Sequence, residues 1–190
     1  MSAPPTDRTG AASERLDRGR AALVVVDVQE AFRKAIPAFD AVARAVATLV
    51  RGAAAMEVPV IVTEQYPKGL GTTVPEVSRH LPPGTRPVEK VRFSAAEAEG
   101  FDLDGRDQAI LCGIEAHVCV NQTTLDLLAR GVEVYLVGDA VGSRTDANRE
   151  LGIERARRAG AAVSSVEMAL FELLGGSDAP EFSEVQALVK

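Results

Sequence analysis

Short apolar runs alternate with longer segments of helical periodicity along this chain. The run AALVVVDV is apolar at almost every position, which is typical of a strand buried on both faces of a sheet. Further runs of apolar and β-branched residues follow at intervals that leave room for a helix between them. The pattern predicts strands at residues 21–28, 58–64, 86–93, 107–114, 132–139 and 161–166.

Helical periodicity fills most of the segments between the predicted strands. The first helix is predicted from apolar side chains at helical spacing, with Pro37 in its first turn: Phe39, Val42, Val46 and Leu49. VCVNQTTLDLLARG predicts a helix that ends at Gly131, and DANRELGIERARRAG predicts another with its arginines near the carboxyl end. One or two terminal helices are expected after residue 166. QYPKGLGTTVPEV, with its prolines and glycines, is predicted to be a loop.

Strands that alternate with helices imply right-handed crossover connections and a parallel sheet covered on both faces. We therefore predict one α/β domain over residues 20–190, a three-layer α/β/α Rossmann-like fold with a six-stranded, mainly parallel sheet. Ligands bind such sheets beyond the carboxyl ends of the strands. That rule selects Asp27, Glu64 with the loop after it, the residues around Lys90, the turn at Cys119, and residues 139–144.

Composition narrows the possible partners and location. The chain has 190 residues, 46% of them apolar, and a net charge of −6 that disfavours nucleic-acid partners. No apolar run reaches the ~20 residues of a membrane span, so no membrane partner is expected. Residues 1–19 are polar, lack the apolar core of a secretory signal and are interpreted as a disordered tail. Two cysteines are too few for a disulfide framework, which favours a reducing cytoplasm.

Nucleotide and metal sites find little support in the sequence. The turn after the first predicted strand, DVQEAF, has no glycine, so it offers no G-x-G-x-x-G cradle for a dinucleotide. No phosphate-binding Gly-Lys-Ser/Thr loop is present either. His80 and His117 are the only histidines, far apart in the chain, and no Cys-x-x-Cys occurs. We therefore expect no cofactor and no metal.

Cys119 falls where a predicted strand becomes a helix, in GIEAHVCVNQT. The positive end of the helix dipole and the free N–H groups of the first turn would lower the pKa of a thiol there. A buried cysteine that serves only packing is an equally good interpretation from position alone. Cys112 lies within an apolar predicted strand and is expected to be inert.

Two charged residues at other strand ends complete a candidate nucleophilic site. Asp27 ends an apolar run, where an ionised carboxylate needs a partner unless it caps a turn or helix. Lys90 interrupts VEKVRF, and a solvated lysine on an edge strand is the alternative interpretation. Together with Cys119 they supply a base, an electrostatic partner and a nucleophile.

Three ordered motifs resemble those of the isochorismatase-like cysteine hydrolases, the superfamily that includes nicotinamidases. They are DVQEAF at Asp27, EKVRFSA at Lys90 and GIEAHVCV at Cys119, and the resemblance covers roughly residues 20–175. It implies an Asp27–Lys90–Cys119 triad, a cis peptide bond at residues 114–115, and an oxyanion hole made by the backbone amides of Glu115 and Cys119. The stretch TEQYPKGLG is similar to small isochorismatase-domain proteins of unassigned substrate.

This chain departs from the nicotinamidases at their metal site, and the resemblance also implies a type of reaction. Nicotinamidases have an Asp-x-His metal site after the second strand, where this chain reads Thr-Glu-Gln-Tyr (residues 63–66). We expect a metal-independent hydrolase that cleaves a small amide or related C–N bond through a thioester. Isochorismatase-type ether hydrolysis, a redox-sensing thiol and a non-catalytic binding or scaffold protein are the alternatives. A homo-oligomer and a small-molecule substrate are expected, with pocket walls from Phe32, Gln65, Tyr66, Leu70, Phe93 and His117.

Overall fold

All six strands of the predicted sheet are present, and all are parallel. The computed structural model describes residues 15–190. The sheet has the order β3-β2-β1-β4-β5-β6. Its strands are β1 (Ala21–Val26), β2 (Val60–Gln65), β3 (Val88–Lys90), β4 (Gln108–Ile114), β5 (Glu133–Gly142) and β6 (Ala162–Ser164). The α/β fold class predicted from the sequence is confirmed.

The helices cover both faces of this sheet. They are α1 (Phe39–Ala55), α2 (Pro67–Leu70), α3 (Pro75–Ser78), α4 (Cys119–Ala129), α5 (Asp146–Arg158), α6 (Val166–Leu174) and α7 (Phe182–Val189). Apolar side chains of α1, α6 and α7 pack in one core cluster with one face of β1, and α4 and α5 pack against the other face. The strands are buried on both sides, which is why they are apolar at nearly every position.

Several elements differ from the sequence expectation. β3 spans only Val88–Lys90 of the predicted residues 86–93, and Pro37 precedes α1, whose N-cap is Ala38, and does not lie in its first turn. The segment predicted as a loop after β2 contains the single-turn helices α2 and α3, because Pro67 and Pro75 occupy their first turns, where the missing N–H costs nothing. Strand β5 is longer than predicted and continues to Gly142, because a register shift opposite Leu111 to Gly113 lets it pair with β4 again.

The segment interpreted as a disordered tail, residues 1–19, falls mostly outside the described residues. Its last part, however, packs on the domain at the amino ends of the strands. Leu16 is buried, and the amide of Asp17 donates to Oε1 of Gln108 at 2.7 Å. Arg18 adds a hydrogen bond to the Met56 carbonyl and an ion pair with Glu181, so residues 16–18 contact the domain. The boundary at residue 20 stays a prediction.

The strand order reverses between β1 and β4, which are neighbours in the sheet but far apart in the chain. Such a switch point opens a crevice beyond the carboxyl ends of the two strands. Gly113 of β4 makes this close pairing possible. Its φ is +117°, and a Cβ added there would lie 2.0 Å from the carbonyl oxygen of Val26. The next residue after Val26 is Asp27, so this contact fixes where the candidate carboxylate leaves the sheet.

Gly113→Ala should therefore destabilise the protein strongly. The methyl group would collide with backbone, and the positive φ adds strain, so we expect a loss of about 3 kcal/mol or more in the free energy of unfolding. Gly100→Ala is the matched control, because Gly100 also has positive φ but open space around its Cα. It should cost only about 1 kcal/mol. Urea denaturation measures the free energy of unfolding of both variants. Equal losses of stability would contradict the close approach of Gly113 to the Val26 backbone.

Candidate active site

Three side chains from three strand ends meet at the carboxyl edge of the sheet. Asp27 follows β1, Lys90 ends β3, and Cys119 begins α4 after β4. Nζ of Lys90 lies 2.7 Å from Oδ2 of Asp27, and both side chains are completely buried. The charges of both residues act on the Cys119 thiol. The structure thus brings together the three residues that the sequence analysis selected.

Asp27 is held in an unusual backbone conformation. Its φ is +52°, in the left-handed region that few residues other than glycine, asparagine and aspartate adopt. The Thr63 hydroxyl donates to Oδ1 of Asp27 at 2.7 Å, and the Asp27 amide donates to the Thr63 carbonyl at 3.2 Å. Thr63 therefore orients the carboxylate from the neighbouring strand, so that its other oxygen faces Lys90.

The Lys90 ammonium is surrounded by acceptors besides Asp27. It donates to Oε1 of Gln65 at 2.7 Å and to the carbonyl of Phe93 at 2.9 Å, and it lies 3.2 Å from the carbonyl of Arg92. Lys90 is therefore not the solvated edge-strand lysine of the alternative interpretation. The chain after β3 curls back so that its own carbonyl groups enclose the ammonium.

The turn that presents Cys119 is tightly bonded. The peptide bond between Ile114 and Glu115 is cis, as the family resemblance implied. The carbonyl of Glu115 accepts from the amides of Val118 and Val120, at 3.0 and 3.2 Å. Among residues 15–190, no backbone acceptor is bonded to the amides of Glu115 and Cys119. Their role as an oxyanion hole remains a prediction that this arrangement permits.

Residues after β5 and on α5 support the same turn. The Glu115 carboxylate accepts from both the backbone N and Nε of Arg144, each at 3.0 Å. Nδ1 of His117 lies 3.1 Å from Oγ of Ser143. Helix α5 approaches so closely at Gly152 that an added Cβ would lie 2.5 Å from the Ala116 carbonyl oxygen. The turn is therefore clamped on its outer side by β5 and α5.

The electrostatics of the thiol differ from the sequence expectation. Burial, reinforced by the negative charge of Asp27, raises the pKa of Cys119 to about 12, although Lys90 opposes the shift. The prediction of a lowered pKa at the helix N-terminus is therefore wrong. The pKa of Cys112 is raised further by complete burial, consistent with the inert thiol expected there. The pKa of the Asp27 carboxyl is also raised by burial, with Lys90 and Thr63 opposing.

The residues predicted to form pocket walls do not all lie in one place. Tyr66 and Lys90 line a cavity of about 440 Å³ beyond β3, and the rest of its lining comes from Pro67, Lys68, Glu89, Val91, Arg92, Glu97, Ala98 and Glu99. Phe93 is exposed beside this region, whereas Phe32 packs against the core. Leu70 is half-buried in α2 and has no place in the lining of this cavity. The Gln65 side chain accepts a hydrogen bond from Lys90, and the His117 ring is within hydrogen-bond distance of the Ser143 hydroxyl. A larger cavity, about 860 Å³, lies at the amino ends of the strands, away from Cys119.

Some residues around the site were not selected from the sequence. Gln29 is fully buried, and its side-chain amide forms hydrogen bonds with both the N–H and the carbonyl of Gln65. The Thr123 hydroxyl donates to the Cys119 carbonyl at 2.7 Å and accepts from the amide of Ala95 at 2.8 Å. Thr63 was within reach of the strand-end rule, because it directly precedes Glu64. Gln29 lies in the first motif, and its polarity next to an apolar run was the available signal.

The residues at the position where nicotinamidases carry a metal are not suited to bind a metal in this chain. Glu64 accepts two hydrogen bonds from Thr73, Gln65 is bonded to Lys90, and Tyr66 is exposed. In the part of the chain that the structure describes, no three His, Cys, Asp or Glu side chains are grouped as metal ligands.

The parallel sheet and the cluster at its switch point define an α/β protein of the hydrolase-like isochorismatase type. The chain belongs to the isochorismatase domain family, whose pattern matches residues 21–168. It is 42% identical over 175 residues to human isochorismatase domain-containing protein 2, an alignment that covers 90% of this chain and 84% of that protein. Its structure resembles that of MAR1 ribonuclease from Caenorhabditis elegans with a TM-score of 0.87, at 41% identity and 92% coverage of both chains.

One relative of this chain is named as a secreted protein. A secreted isochorismatase effector, Isc1 of Phytophthora sojae, is 42% identical over 175 residues, which cover 88% of this chain and 83% of the effector. Within residues 15–190, none of the helices combines the length and the apolar character needed to cross a membrane. The cytoplasmic location expected from the cysteine content stays a prediction.

Alkylation should report the raised pKa of Cys119 directly. Because the thiolate is the nucleophile, the iodoacetamide rate at Cys119 should rise about tenfold per unit between about pH 8 and about pH 10 without a plateau. A small free thiol in the same series should level off near its pKa of about 8.5. Peptide mapping should find Cys112 unlabelled in the native protein. A plateau for Cys119 below about pH 8 would restore the lowered pKa expected from the helix dipole alone.

Proposed function

We propose that this protein is a metal-independent cysteine hydrolase that cleaves a small amide or a related C–N bond. Cys119 is the nucleophile, Asp27 the general base, and Lys90 the group that stabilises negative charge around them. The observation that carries the proposal is the fully buried Asp27–Lys90 ion pair at 2.7 Å, with Cys119 inside its field. Burying two charges costs several kcal/mol, about as much as a good ion pair regains, so stability alone does not require the pair.

The two raised pKa values suit a nucleophile that is formed only when it is used. A thiol with a pKa of about 12 is protonated at rest, and the carboxyl pKa, raised by burial, brings the base closer to the working pH. Proton transfer from Cys119 to Asp27 then occurs as sulfur attacks, and the net charge of the cluster with Lys90 changes little. A stored thiolate, as in a redox sensor, is disfavoured by the same burial.

The reaction proceeds in two stages, acylation of Cys119 with loss of the amine and then hydrolysis of the thioester. Sγ of Cys119 adds to the carbonyl carbon while Asp27 takes the thiol proton, and the carbonyl electron pair moves to oxygen, which the amides of Glu115 and Cys119 stabilise. The intermediate collapses, the C–N bond breaks, and Asp27 returns its proton to the departing ammonia or amine. Water activated by Asp27 then adds to the thioester, which releases the carboxylic acid and restores the thiol.

A small substrate fits the charge of the protein better than a polyanion does. One structural relative is named as a ribonuclease, but the net charge of −6 here opposes nucleic acid. The cavity of about 440 Å³ beside Lys90 has the size of a small-molecule site, and Cys119 lies outside its lining. A homo-oligomer remains part of the proposal, since the exposed side chains of Tyr66, Val91 and Phe93 form an apolar surface beside the site.

The substrate class is found by a screen of small amides, carbamoyl compounds and isochorismate, with Cys119→Ala as the blank. Hydrolysis of an amide or carbamoyl compound that is lost in Cys119→Ala supports the proposal. Cleavage of isochorismate alone would replace C–N hydrolysis by ether hydrolysis. Turnover that survives in Cys119→Ala would contradict a cysteine mechanism.

Asp27→Asn should separate thiol reactivity from turnover. Because the Asp27 charge raises the pKa of Cys119, its removal lowers that pKa, and alkylation at about pH 8 should become several-fold faster. Turnover of the substrate found in the screen should nevertheless fall by about a hundredfold or more, since the base is gone. The control is Asp126→Asn, an acidic residue two turns beyond Cys119 on α4. Retained turnover in Asp27→Asn would show that the carboxylate is not the base.

A further inference from the structure

The hydrogen-bonding capacity of Lys90 is fully used within the protein. An ammonium group has three protons, and Nζ donates to Oε1 of Gln65 and to the carbonyls of Phe93 and Arg92, while Oδ2 of Asp27 lies 2.7 Å away as its ion-pair partner. The side chain is also completely buried. Lys90 therefore has no proton left to offer to a substrate, and it can act only through its charge.

Gln65 is the one neutral side chain in this shell, and its orientation is fixed by the residues on both sides. Its Nε2 donates to the Val91 carbonyl at 2.9 Å, and its Oε1 accepts from Lys90 at 2.7 Å. A carbonyl can only accept, so the NH₂ end of the amide must face Val91 and the oxygen must face the ammonium. The two partners thus select a single orientation of the side chain.

The backbone of Gln65 is held equally firmly. The buried amide of Gln29 accepts from the Gln65 N–H at 2.8 Å and donates to the Gln65 carbonyl at 3.0 Å. The same Nε2 of Gln29 donates to the Gly71 carbonyl at 2.6 Å. In addition, Gln65 is the direct partner of Lys90 in the pairing of β2 with β3. These contacts place the amide oxygen opposite the ammonium before any substrate arrives.

We propose that Gln65 is a positioning residue that aims the Lys90 ammonium at Asp27 and Cys119, and that it forms no wall of the substrate pocket. The inference rests on the proposed function and deepens it. A neutral amide is suited to this role, because it accepts a charge-assisted hydrogen bond without neutralising the cation. A carboxylate at the same place would compete with Asp27 for the charge of Lys90.

The test is a double-mutant cycle read out on the pH dependence of Cys119 alkylation by iodoacetamide. The variants are Gln65→Met, Lys90→Met and the double substitution, with folding checked by circular dichroism. Gln65→Met should slow alkylation about tenfold at a fixed pH, because the loosened ammonium stabilises the thiolate less. Lys90→Met should slow it more, and the double variant should match Lys90→Met alone, because Gln65 acts through Lys90.

Gln122→Met is the matched control, an exposed glutamine one turn beyond Cys119 on α4. Its alkylation profile should superimpose on that of the wild type. If Gln65→Met does not fold, Gln65→Glu keeps the shape and the acceptor but adds a negative charge. It should move the profile to higher pH, because the new charge offsets that of Lys90.

The outcomes separate this inference from the proposed function. A wild-type profile for Gln65→Met, or for Gln65→Glu, alongside a shifted profile for Lys90→Met overturns the positioning role and leaves the triad intact. Additive effects in the double variant overturn it too, because Gln65 would then act independently of Lys90. A wild-type profile for Lys90→Met would remove Lys90 from the site and take both claims with it.

Discussion

The ion pair between Asp27 and Lys90 is the interaction on which the rest of the site depends. Both side chains have left water completely, and removal of either partner leaves a buried charge at a cost of about 3–5 kcal/mol. The surrounding residues offset that desolvation. Thr63 donates to the carboxylate, and Gln65 and the Phe93 carbonyl accept from the ammonium. The pair therefore accounts for the polar residues at the carboxyl ends of β1, β2 and β3.

The strand order of the sheet explains why the Asp27–Lys90 ion pair lies beside the Cys119 thiol. β1 and β4 are neighbours at the point where the order reverses, so the residues that follow them converge on one crevice. Gly113 allows the two backbones to approach, and Asp27 turns at once into a left-handed conformation. Local strain of about 1–3 kcal/mol at such a residue persists only where surrounding contacts fix it. Here Thr63 and Lys90 supply those contacts, so the fold and the charge pair support each other.

Much of the fold was predictable because strands buried on both faces are apolar throughout, and strand ends in a parallel sheet gather at one edge. Asp27, Lys90 and Cys119 were among the regions that this rule selected, and the family resemblance singled them out as a triad. The role of Gln65 was not predicted, because it depends on the pairing of β2 with β3, which the sequence does not state. The shift in the pKa of Cys119 was predicted in the wrong direction for a related reason. The helix N-terminus is visible in the sequence, whereas the burial and the nearby carboxylate that outweigh it are not.

In the proposed mechanism, Cys119 attacks a carbonyl carbon with Asp27 and Lys90 as its partners. Acid-quenched mass spectrometry after mixing with p-nitrophenyl acetate tests it without knowledge of the natural substrate. The account predicts an early burst of p-nitrophenol and an acetyl group on the peptide that contains Cys119. That acetyl group should disappear with time in the wild type and persist in Asp27→Asn, which lacks the base for hydrolysis of the thioester. Acetylation confined to surface lysines, and unchanged in Cys119→Ala, would contradict the account.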